Sequence, residues 1–469
     1  MKIKNIVTVF LSAFILASCA PAAKVVPTET AISTSTFTPV LIATATITPT
    51  PAPENVTDAK ELSKWIDDYV HAYGSKVTVN GTEMDSGKLL NAIKTNPDVF
   101  MQAKQINGVE YSFLVVNNVP LALKQKDGLK WGKMTLGKLA DMQNFYVGTL
   151  LSEPYAPDME LRDRFVVTEF NSARIATLQG AVTEPIQNKF DFVASDKAVQ
   201  LAMDNHMYVT GNDVIYGGSD FEWGWLKDHV VFDSNGKLVS TDLTSNQLIA
   251  AIKNHIQKVL THYKGKVSLW EVVNESGLKA WHPGKWDPYV EIIGENYIDI
   301  AFEAARQADP TALLIYNQNS NETMNSDRYS MTLDIVKRLR SRNLIDTVGL
   351  QMHINQSAWN PPSKEKMIKA FKSYGISVAI TELDVNISDT TGTDQEKNLK
   401  QAEIYKDIFE ACIESSVCHK INFWGVGDKY SWYVYALNKP NANPTILNDD
   451  LSPKPAYYAI TQVLYEHVP

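Results

Sequence analysis

The stretch Val267-Ser268-Leu269-Trp270-Glu271-Val272-Val273-Asn274-Glu275 reads as a short apolar strand that ends in an amide and a carboxylate. A buried strand usually ends in turn residues such as Gly, Asn, Asp or Pro, so this polar end needs an explanation. A second apolar segment, residues 376–381, ends in the same way at Glu382. Glycoside hydrolysis requires two such carboxyl groups, one to protonate the leaving oxygen and one to attack or to activate water.

Beyond residue 131 the sequence alternates between short apolar strands and helices. The candidate strands are Phe145–Leu150, Glu169–Ala176, Tyr208–Thr210, Val267–Val273, Ala312–Tyr316, Thr347–Leu350, Ser377–Thr381 and Lys420–Trp424. The helical segments between them include Lys197–Asn205, Asn246–Tyr263, Gly294–Ala308 and Glu396–Glu410. This alternation predicts an α/β fold, a parallel (β/α)8 TIM barrel over residues 131–469. A doubly wound open sheet is disfavoured, because no Gly-rich phosphate motif follows the first strand and polar residues follow many strands.

The composition is that of a globular chain long enough to bury a large core. Of its 469 residues, 44% are hydrophobic and 21% are charged. The formal net charge of −9 argues against a nucleic-acid partner and suits a neutral ligand such as a sugar. The sequence has no Cys/His cluster at metal-ligand spacing and no calcium-loop pattern, so no metal is expected. Hydrolysis through two carboxylates needs no cofactor.

The N-terminus predicts export. A basic start at Met1–Lys4 and an apolar run over Ile6–Ala17 predict a secretory signal peptide over residues 1–18. It closes with Leu16-Ala17-Ser18-Cys19, which resembles the bacterial lipobox, in which the cysteine becomes lipidated. The alternative is an ordinary cleavage site that contains a cysteine. Lipidation of Cys19 predicts an extracellular protein that contacts the membrane only through this anchor.

Two segments separate the N-terminus from the predicted barrel. Residues 19–55 are rich in Thr, Pro, Ala and Ser and have no apolar periodicity, which predicts an extended linker. Residues 56–130 predict a small α+β module with a helix over Thr57–Tyr73 and strands at Val77–Val79, Tyr111–Val116 and Val119–Leu123. Aromatic residues at helical spacing are more often core than a sugar platform, so the sequence assigns this module no function.

Four segments at predicted strand ends form a set. They are Trp270–Glu275, Leu350–His353, Ile380–Asp384 and Phe423–Trp432. In order and spacing they resemble the motifs after strands four, six, seven and eight of glycoside hydrolase family 10, the retaining β-1,4-xylanases. The resemblance spans roughly residues 140 to 465 and implies a divergent member of that family.

The resemblance implies a role for each carboxyl group. Glu275 would be the acid/base and Glu382 the nucleophile. Glu275 must be protonated at the working pH, so we expect burial and the charge of its partner to raise its pKa. His353 and Asp384 resemble the pair that holds the nucleophile by hydrogen bonds, and a donor to Glu382 would stabilise its charged form.

Other residues resemble the lining of the same subsite. Asn274 matches the residue that binds the sugar 2-hydroxyl, and Gln351, Trp424 and Trp432 match neighbouring positions. Each has an ordinary alternative, because strand-end glutamates are usually solvated, a lone histidine is usually a core group and tryptophans usually pack. Their joint occurrence in the family's order favours the catalytic interpretation.

The two remaining cysteines lie close together in sequence. Outside the cytosol, Cys412 and Cys418 are plausible disulfide partners. They also resemble a disulfide that some family members carry before strand eight. Two free thiols are the alternative.

The sequence departs from the family after strands two and three. The usual Gly-His-x-Leu-Val-Trp-His segment is replaced by Gly211-Asn212-Asp213-Val214-Ile215-Tyr216-Gly217. The family's Glu-Asn and Lys-Trp pairs are replaced by Ala176-Thr177-Leu178-Gln179-Gly180. We therefore expect an intact catalytic floor, with Asn212 and Tyr216 in a rebuilt wall that affects which sugar is accepted.

Three functions are compatible with these features. The first is a monomeric retaining glycosidase that acts on xylan or a related β-linked poly- or oligosaccharide. The second has the same chemistry on a different β-glycan or glycoside. The third is a surface lipoprotein that binds glycans without turnover, and it is disfavoured because binding alone would require neither glutamate nor the supporting His353 and Asp384.

Overall fold

The computed structural model describes residues 99–125, 132–154, 156–217, 224–233, 238–276, 287–355 and 362–469, residues 88, 91 and 92, and the strands at 77–79 and 82–84. The predicted signal peptide, Cys19, the linker over residues 19–55 and the helix expected at 57–73 lie outside these residues. Those four features stay predictions.

The N-terminal part of the described chain is antiparallel. Strands β1 (Val77–Val79) and β2 (Thr82–Met84) pair with each other, and β3 (Val99–Ile106), β4 (Val109–Val116), β5 (Val119–Gln125) and β6 (Gly132–Lys133) form a four-stranded sheet in that order. The β3–β4 turn is Asn107-Gly108, with φ of 51° and 80°. Two-residue hairpin turns of this kind need positive φ at both positions, which Asn and Gly adopt most readily.

A closed barrel follows. Its part of the chain contains β7 (Tyr146–Leu151), β8 (Ser172–Ile175), β9 (Tyr208–Gly211), β10 (Ile215–Tyr216), β11 (Val230–Phe232), β12 (Leu238–Thr241), β13 (Leu269–Asn274), β14 (Leu313–Gln318), β15 (Thr347–Leu350), β16 (His353–Asn355), β17 (Ser377–Asn386) and β18 (Cys418–Phe423). Within the described ranges, eight of these strands form a parallel ring in the order β7, β8, β9, β13, β14, β15, β17, β18, and β18 pairs back to β7. This ring confirms the predicted barrel and excludes an open sheet.

Helices cover the outside of the ring. The described helices are α1 (Leu136–Asp141), α2 (Met159–Glu169), α3 (Gly180–Thr183), α4 (Val193–Asp204), α5 (Ser245–His262), α6 (Pro288–Ile292), α7 (Tyr297–Ala308), α8 (Asp327–Arg340), α9 (Lys364–Ser373), α10 (Asp394–Ser415), α11 (Trp432–Tyr435) and α12 (Pro455–Glu466). The long helices α5 and α10 each begin with a capping box, at Thr244 with Gln247 and at Thr393 with Glu396. In the part of the chain that the structure describes, no helix has both the length and the apolar character needed to cross a membrane.

The second barrel strand starts later than the sequence pattern predicts. The expected strand Glu169–Ala176 begins only at Ser172, because Glu169 is the last residue of α2. The carboxylate of Glu169 accepts hydrogen bonds from the Leu136 N–H at 3.0 Å and the Tyr457 hydroxyl at 2.5 Å. These contacts join the end of α2 to α1 and α12, a role that a strand residue at this point would not fill.

The interior of the barrel combines a small apolar layer with buried charges. Leu269, Ile315 and Ala379 pack together, whereas Arg174 on β8 reaches side chains of β13 and β17 across the ring. A buried charge is costly unless it is paired, so these contacts indicate a polar network inside the barrel.

The N-terminal sheet packs on the last helix. The Nζ of Lys104 donates to the carbonyl oxygens of Tyr465 and Val468, both at 3.1 Å. The rings of Phe113 and Tyr465 lie 5.1 Å apart between centroids. The strands over residues 99–125 therefore share a core with the barrel, to which Ile106, Phe113 and Val115 contribute.

Candidate active site

Glu275 lies immediately after β13, at a sharp change in chain direction. Its φ is 50°, a left-handed conformation that is uncommon for residues other than glycine. The Glu275 N–H donates to the carbonyl oxygen of Asn317 on the adjacent β14 at 3.1 Å. Such strain persists where the surrounding contacts hold it, and it occurs most often at functional sites.

Two neutral donors hold the carboxylate of Glu275. The amide Nε2 of Gln351 donates to Oε1 at 2.8 Å, and the Tyr216 hydroxyl donates to Oε2 at 3.1 Å. Tyr216 reaches this position because β10 pairs with the end of β13, where Tyr216 lies opposite Asn274. Gln351 directly follows β15, and the next residue, Met352, has a φ of 61°.

Glu382 lies within β17 and is almost completely buried. Its Oε1 accepts from Nη1 of Arg174 at 3.0 Å and from Nδ2 of Asn317 at 2.7 Å. Its Oε2 lies 3.2 Å from Nε2 of His353. Glu382 thus contacts two side chains that carry or accept positive charge, in contrast to Glu275.

These contacts determine the charge of Glu382. Burial alone would raise its pKa, but the Arg174 charge and the hydrogen bond from His353 outweigh burial and lower the pKa below the ordinary value. For His353, burial favours the neutral ring, but the charge of Asp384 and the hydrogen bonds to Asp384 and Glu382 together outweigh burial and raise its pKa to about 10. His353 is therefore an imidazolium at neutral pH, and it donates to Asp384 at 2.8 Å and to Glu382.

Short strand pairing aligns the groups behind the nucleophile. Strand β16 pairs with the end of β17, which places His353 opposite Asp384. The indole Nε1 of Trp432 donates to the same Asp384 oxygen at 2.9 Å. The Trp432 ring lies 5.3 Å from the His353 ring, and the Trp424 ring lies 6.2 Å from it.

An amide network joins the two glutamates. Oδ1 of Asn274 accepts from Gln351 Nε2 at 3.0 Å and from Asn317 Nδ2 at 3.1 Å. Asn317 also binds Glu382, and its own oxygen accepts from the Thr381 hydroxyl at 2.6 Å. The absence of a side chain at Gly349 leaves room for Asn317, because a Cβ there would lie 2.4 Å from the Asn317 Oδ1.

The predicted specificity residues Asn212 and Tyr216 belong to the hydrogen-bond network of the two glutamates. Asn212 is 1% exposed, and its Oδ1 accepts from Nε of Arg174 at 2.5 Å. Tyr216 contacts Glu275, as described above. Both side chains therefore form hydrogen bonds within the protein. The sequence analysis placed them in the wall that contacts the sugar, whereas the structure places them next to the catalytic groups.

Two important residues were missed in the sequence, Arg174 and Asn317. Arg174 bonds to Asn212, Glu382 and Glu271, and its guanidinium stacks 4.7 Å from the Trp424 ring centre. A charged residue inside the apolar run Ser172-Ala173-Arg174-Ile175 was a usable signal. The sequence signal for Asn317 was weaker, because it is an amide near the end of a strand and lies outside the four motifs.

The structure joins Cys412 and Cys418 in a disulfide with a Cα–Cα distance of 4.9 Å. Cys412 lies in α10 and Cys418 is the first residue of β18. Both are buried. The bond therefore ties this helix to the start of the last barrel strand, which leads to Trp424.

Sequence comparison identifies related proteins. The chain is 30% identical to Endo-1,4-beta-xylanase B of Thermotoga neapolitana over 334 residues, which cover 70% of this chain and 91% of that protein. It is 31% identical to Endo-1,4-beta-xylanase D of Talaromyces funiculosus over 352 residues, or 74% of this chain and 81% of that protein.

Structure comparison gives the same relationship. The crystal structure of xylanase 10B from Thermotoga petrophila RKU-1 in complex with xylobiose matches with a TM-score of 0.63 and 28% identity, covering 72% of this chain and 99% of that one. The sequence profile of glycosyl hydrolase family 10 matches residues 136–463. With this fold, two buried or half-buried glutamates facing one site and a profile match over most of its length, the chain belongs to glycosyl hydrolase family 10.

Proposed function

We propose that this protein is a retaining glycosidase that cleaves β-1,4-linked xylan or a close β-glycan by double displacement. In the first step the Glu382 carboxylate bonds to the anomeric carbon, while the glycosidic C–O bond breaks and Glu275 gives its proton to the leaving oxygen. In the second step Glu275 takes a proton from water. The water oxygen then replaces Glu382 on the sugar.

The observation that carries this proposal is the unlike setting of the two carboxyl groups. Glu382 is held by the Arg174 guanidinium and the His353 imidazolium, which keep it charged for attack. Glu275 is held by an amide and a phenol, neither of which is a cation. The related proteins named as endo-xylanases support xylan as the substrate class.

A second candidate substrate, a different β-glycan, is favoured by the end of strand β8. There the chain forms a buried 3-10 turn over Ala176–Leu178. Thr177 is 4% exposed and Leu178 is fully buried, so this turn offers few polar groups to a sugar. Lost hydrogen bonds would weaken binding of a xylan chain on this side.

Release of reducing ends from a panel of soluble β-glycans tests both candidates. Xylan, mixed-linkage β-glucan and β-mannan should be compared at equal mass concentration, with Glu382→Gln as the inactive control. Cleavage of xylan above the other glycans supports the first candidate, and cleavage of another glycan supports the second. Binding in affinity gels without reducing-end release from any glycan would overturn the hydrolase proposal.

We also propose that the protein is a lipoprotein held at the outer face of the cell. The support is the sequence pattern that ends in Cys19 and the long Thr/Pro-rich segment that follows it. Such a tether would let the enzyme act on an insoluble polymer outside the cell.

A further inference from the structure

The charge network beneath the nucleophile contains more carboxyl groups than positive charges. Arg174 lies at its centre and is 1% exposed. It pairs with Glu382 at 3.0 Å and with Glu271 at 2.8 Å, through different nitrogens. Asp213, which is also buried, interacts electrostatically with the same guanidinium. One guanidinium therefore faces three carboxyl groups from three strands or strand ends.

We infer that Arg174 is the positioning residue that keeps the nucleophile Glu382 ionised and fixed in place, and that Glu271 and Asp213 compete for its charge. This inference rests on the proposed role of Glu382. Arg174 itself does not touch the substrate, because its nitrogens bond inside the protein to Asn212, Thr381, Glu271 and Glu382.

The geometry fixes the guanidinium from several directions. Nε bonds to Asn212, and Nη1 bonds to both the Thr381 carbonyl and the Glu382 carboxylate. The face of the guanidinium stacks on Trp424, a stabilising contact for a cation. A lysine could supply the charge but not this planar set of bonds.

The pKa values of the competing carboxyl groups are shifted in the opposite direction to that of Glu382. Burial is the main cause that raises the pKa of Asp213 to about 7 and that of Glu271 well above its ordinary value. For Glu382 the same burial is outweighed by Arg174 and His353. The positive charge of Arg174 thus acts chiefly on Glu382, because the pKa of Glu382 is lowered while those of its two competitors are raised.

Charged groups on several strands lie around Arg174 and the nucleophile. Those that act on Glu382 are Arg174 on β8, Asp213 after β9, Glu271 on β13, His353 on β16 and Asp384 on β17, whereas Lys420 on β18 acts on Arg174. His353 is the second cation that contacts Glu382 directly, and it also serves Asp384. Removing Arg174 therefore leaves Glu382 with one shared cation.

The test compares Arg174→Met with Arg174→Lys in the mature chain from residue 19. The two variants have side chains of similar length and differ in charge. The readout is the titration midpoint of the Glu382 carboxyl, followed by 13C NMR of glutamate labelled at the carboxyl carbon and assigned with Glu382→Gln. We expect Arg174→Met to raise the midpoint by about 1 to 3 pH units, and Arg174→Lys to raise it by less than half as much.

Glu271→Gln is the matched control, because it leaves the guanidinium in place and removes one competing carboxyl group. The Glu382 midpoint should then fall or stay constant. If Arg174→Met does not fold, Arg174→Met combined with Glu271→Leu removes both buried charges together, and the midpoint should still rise.

Equal midpoints in wild type and the Met variants would overturn the inference, as would a similar rise in Arg174→Met, Arg174→Lys and Glu271→Gln. The titration needs no substrate, so it separates this inference from the proposed function. Midpoints that shift as expected in a protein that cleaves no glycan would support the charge network and refute the hydrolase proposal.

Discussion

At the scale of single residues, the two glutamates differ in the charge of the side chains that contact them. Glu382 contacts Arg174 and His353, whereas Glu275 contacts Gln351 and Tyr216. Cations stabilise a carboxylate more than neutral donors do. This difference assigns attack to Glu382 and proton transfer to Glu275, and each assignment has its own kinetic consequence.

The first prediction separates these two roles with isosteric amides. Glu382→Gln should abolish turnover of every substrate, because an amide cannot form the glycosyl-enzyme ester. Glu275→Gln should lose natural substrates but retain the first step on an aryl glycoside whose leaving group needs no proton. A pre-steady-state burst of released phenol measures that step. Equal inactivity of both variants on the activated substrate would refute the assignment.

The second prediction concerns His353 and the pH dependence of stability. Burial lowers its pKa, but the charge of Asp384 and the hydrogen bonds to Asp384 and Glu382 together outweigh burial, so the pKa is raised from 6.5 to about 10 in the folded protein. A raised histidine pKa contributes stability that is fully present below about pH 6.5 and is lost as the pH rises toward 10. Urea unfolding of wild type and His353→Gln at pH 6, 8 and 10 measures this contribution. The stability difference between the two proteins should shrink with pH, and a constant difference would contradict the charged state of His353.

At the scale of elements, the site depends on two short strands that extend the barrel rim. Strand β10 brings Tyr216 beside Asn274, and β16 brings His353 beside Asp384. The sequence motifs predicted which residues would lie close together, but they did not predict that β10 and β16 would pair with the barrel strands. Each contains only two or three residues, too few to show a periodic pattern.

The third prediction tests how tightly β10 is packed. A Cβ on Gly217 would lie 2.5 Å from the Glu275 carbonyl oxygen and 2.8 Å from the Cα of Ser276. Gly217→Ala should therefore displace the backbone of Glu275, with a loss of about 1–3 kcal/mol in stability. Activity should fall on the order of 10- to 100-fold. A histidine, which the family carries at this point, has no room on this backbone.

Gly224→Ala is the control for that change, because among the described residues its Cβ would meet only the Pro185 carbonyl oxygen, at 3.6 Å. It should leave both the thermal midpoint and the specific activity near wild type. Similar values for the two variants would show that β10 can move without disturbing Glu275.

At the scale of the whole molecule, the alternation of strands and helices predicted the barrel. The order of the four motifs predicted which of the site residues would lie close together. Every candidate strand overlaps one in the closed ring, because buried parallel strands are apolar along their length. The role of Arg174 was not predicted, because an apolar strand pattern does not show that a charged side chain within it reaches across the barrel. Its partners Glu271, Asn212 and Glu382 come from three separate parts of the chain and meet only on folding.

The packing of the N-terminal sheet against the barrel was also not predicted from the sequence. The sequence separated residues 56–130 from the barrel, whereas the structure packs Phe113 and Lys104 against the end of α12. Ile106, Phe113 and Val115 belong to the same apolar core as the barrel helices. The described part of this segment therefore packs as part of the barrel's core and not as a separate module.

The last prediction concerns attachment to the cell. If Cys19 carries lipid, Cys19→Ser should release the protein from membranes into the soluble fraction. Activity on a soluble glycan should be unchanged, because the segment over residues 19–55 is expected to be an extended tether without a packed core. Activity on insoluble polymer presented to whole cells should fall, since the released enzyme no longer stays at the surface. Fractionation and a reducing-end assay of each fraction measure these effects. A Cys19→Ser protein that remains with the membranes would refute lipidation and favour an uncleaved signal sequence or another anchor.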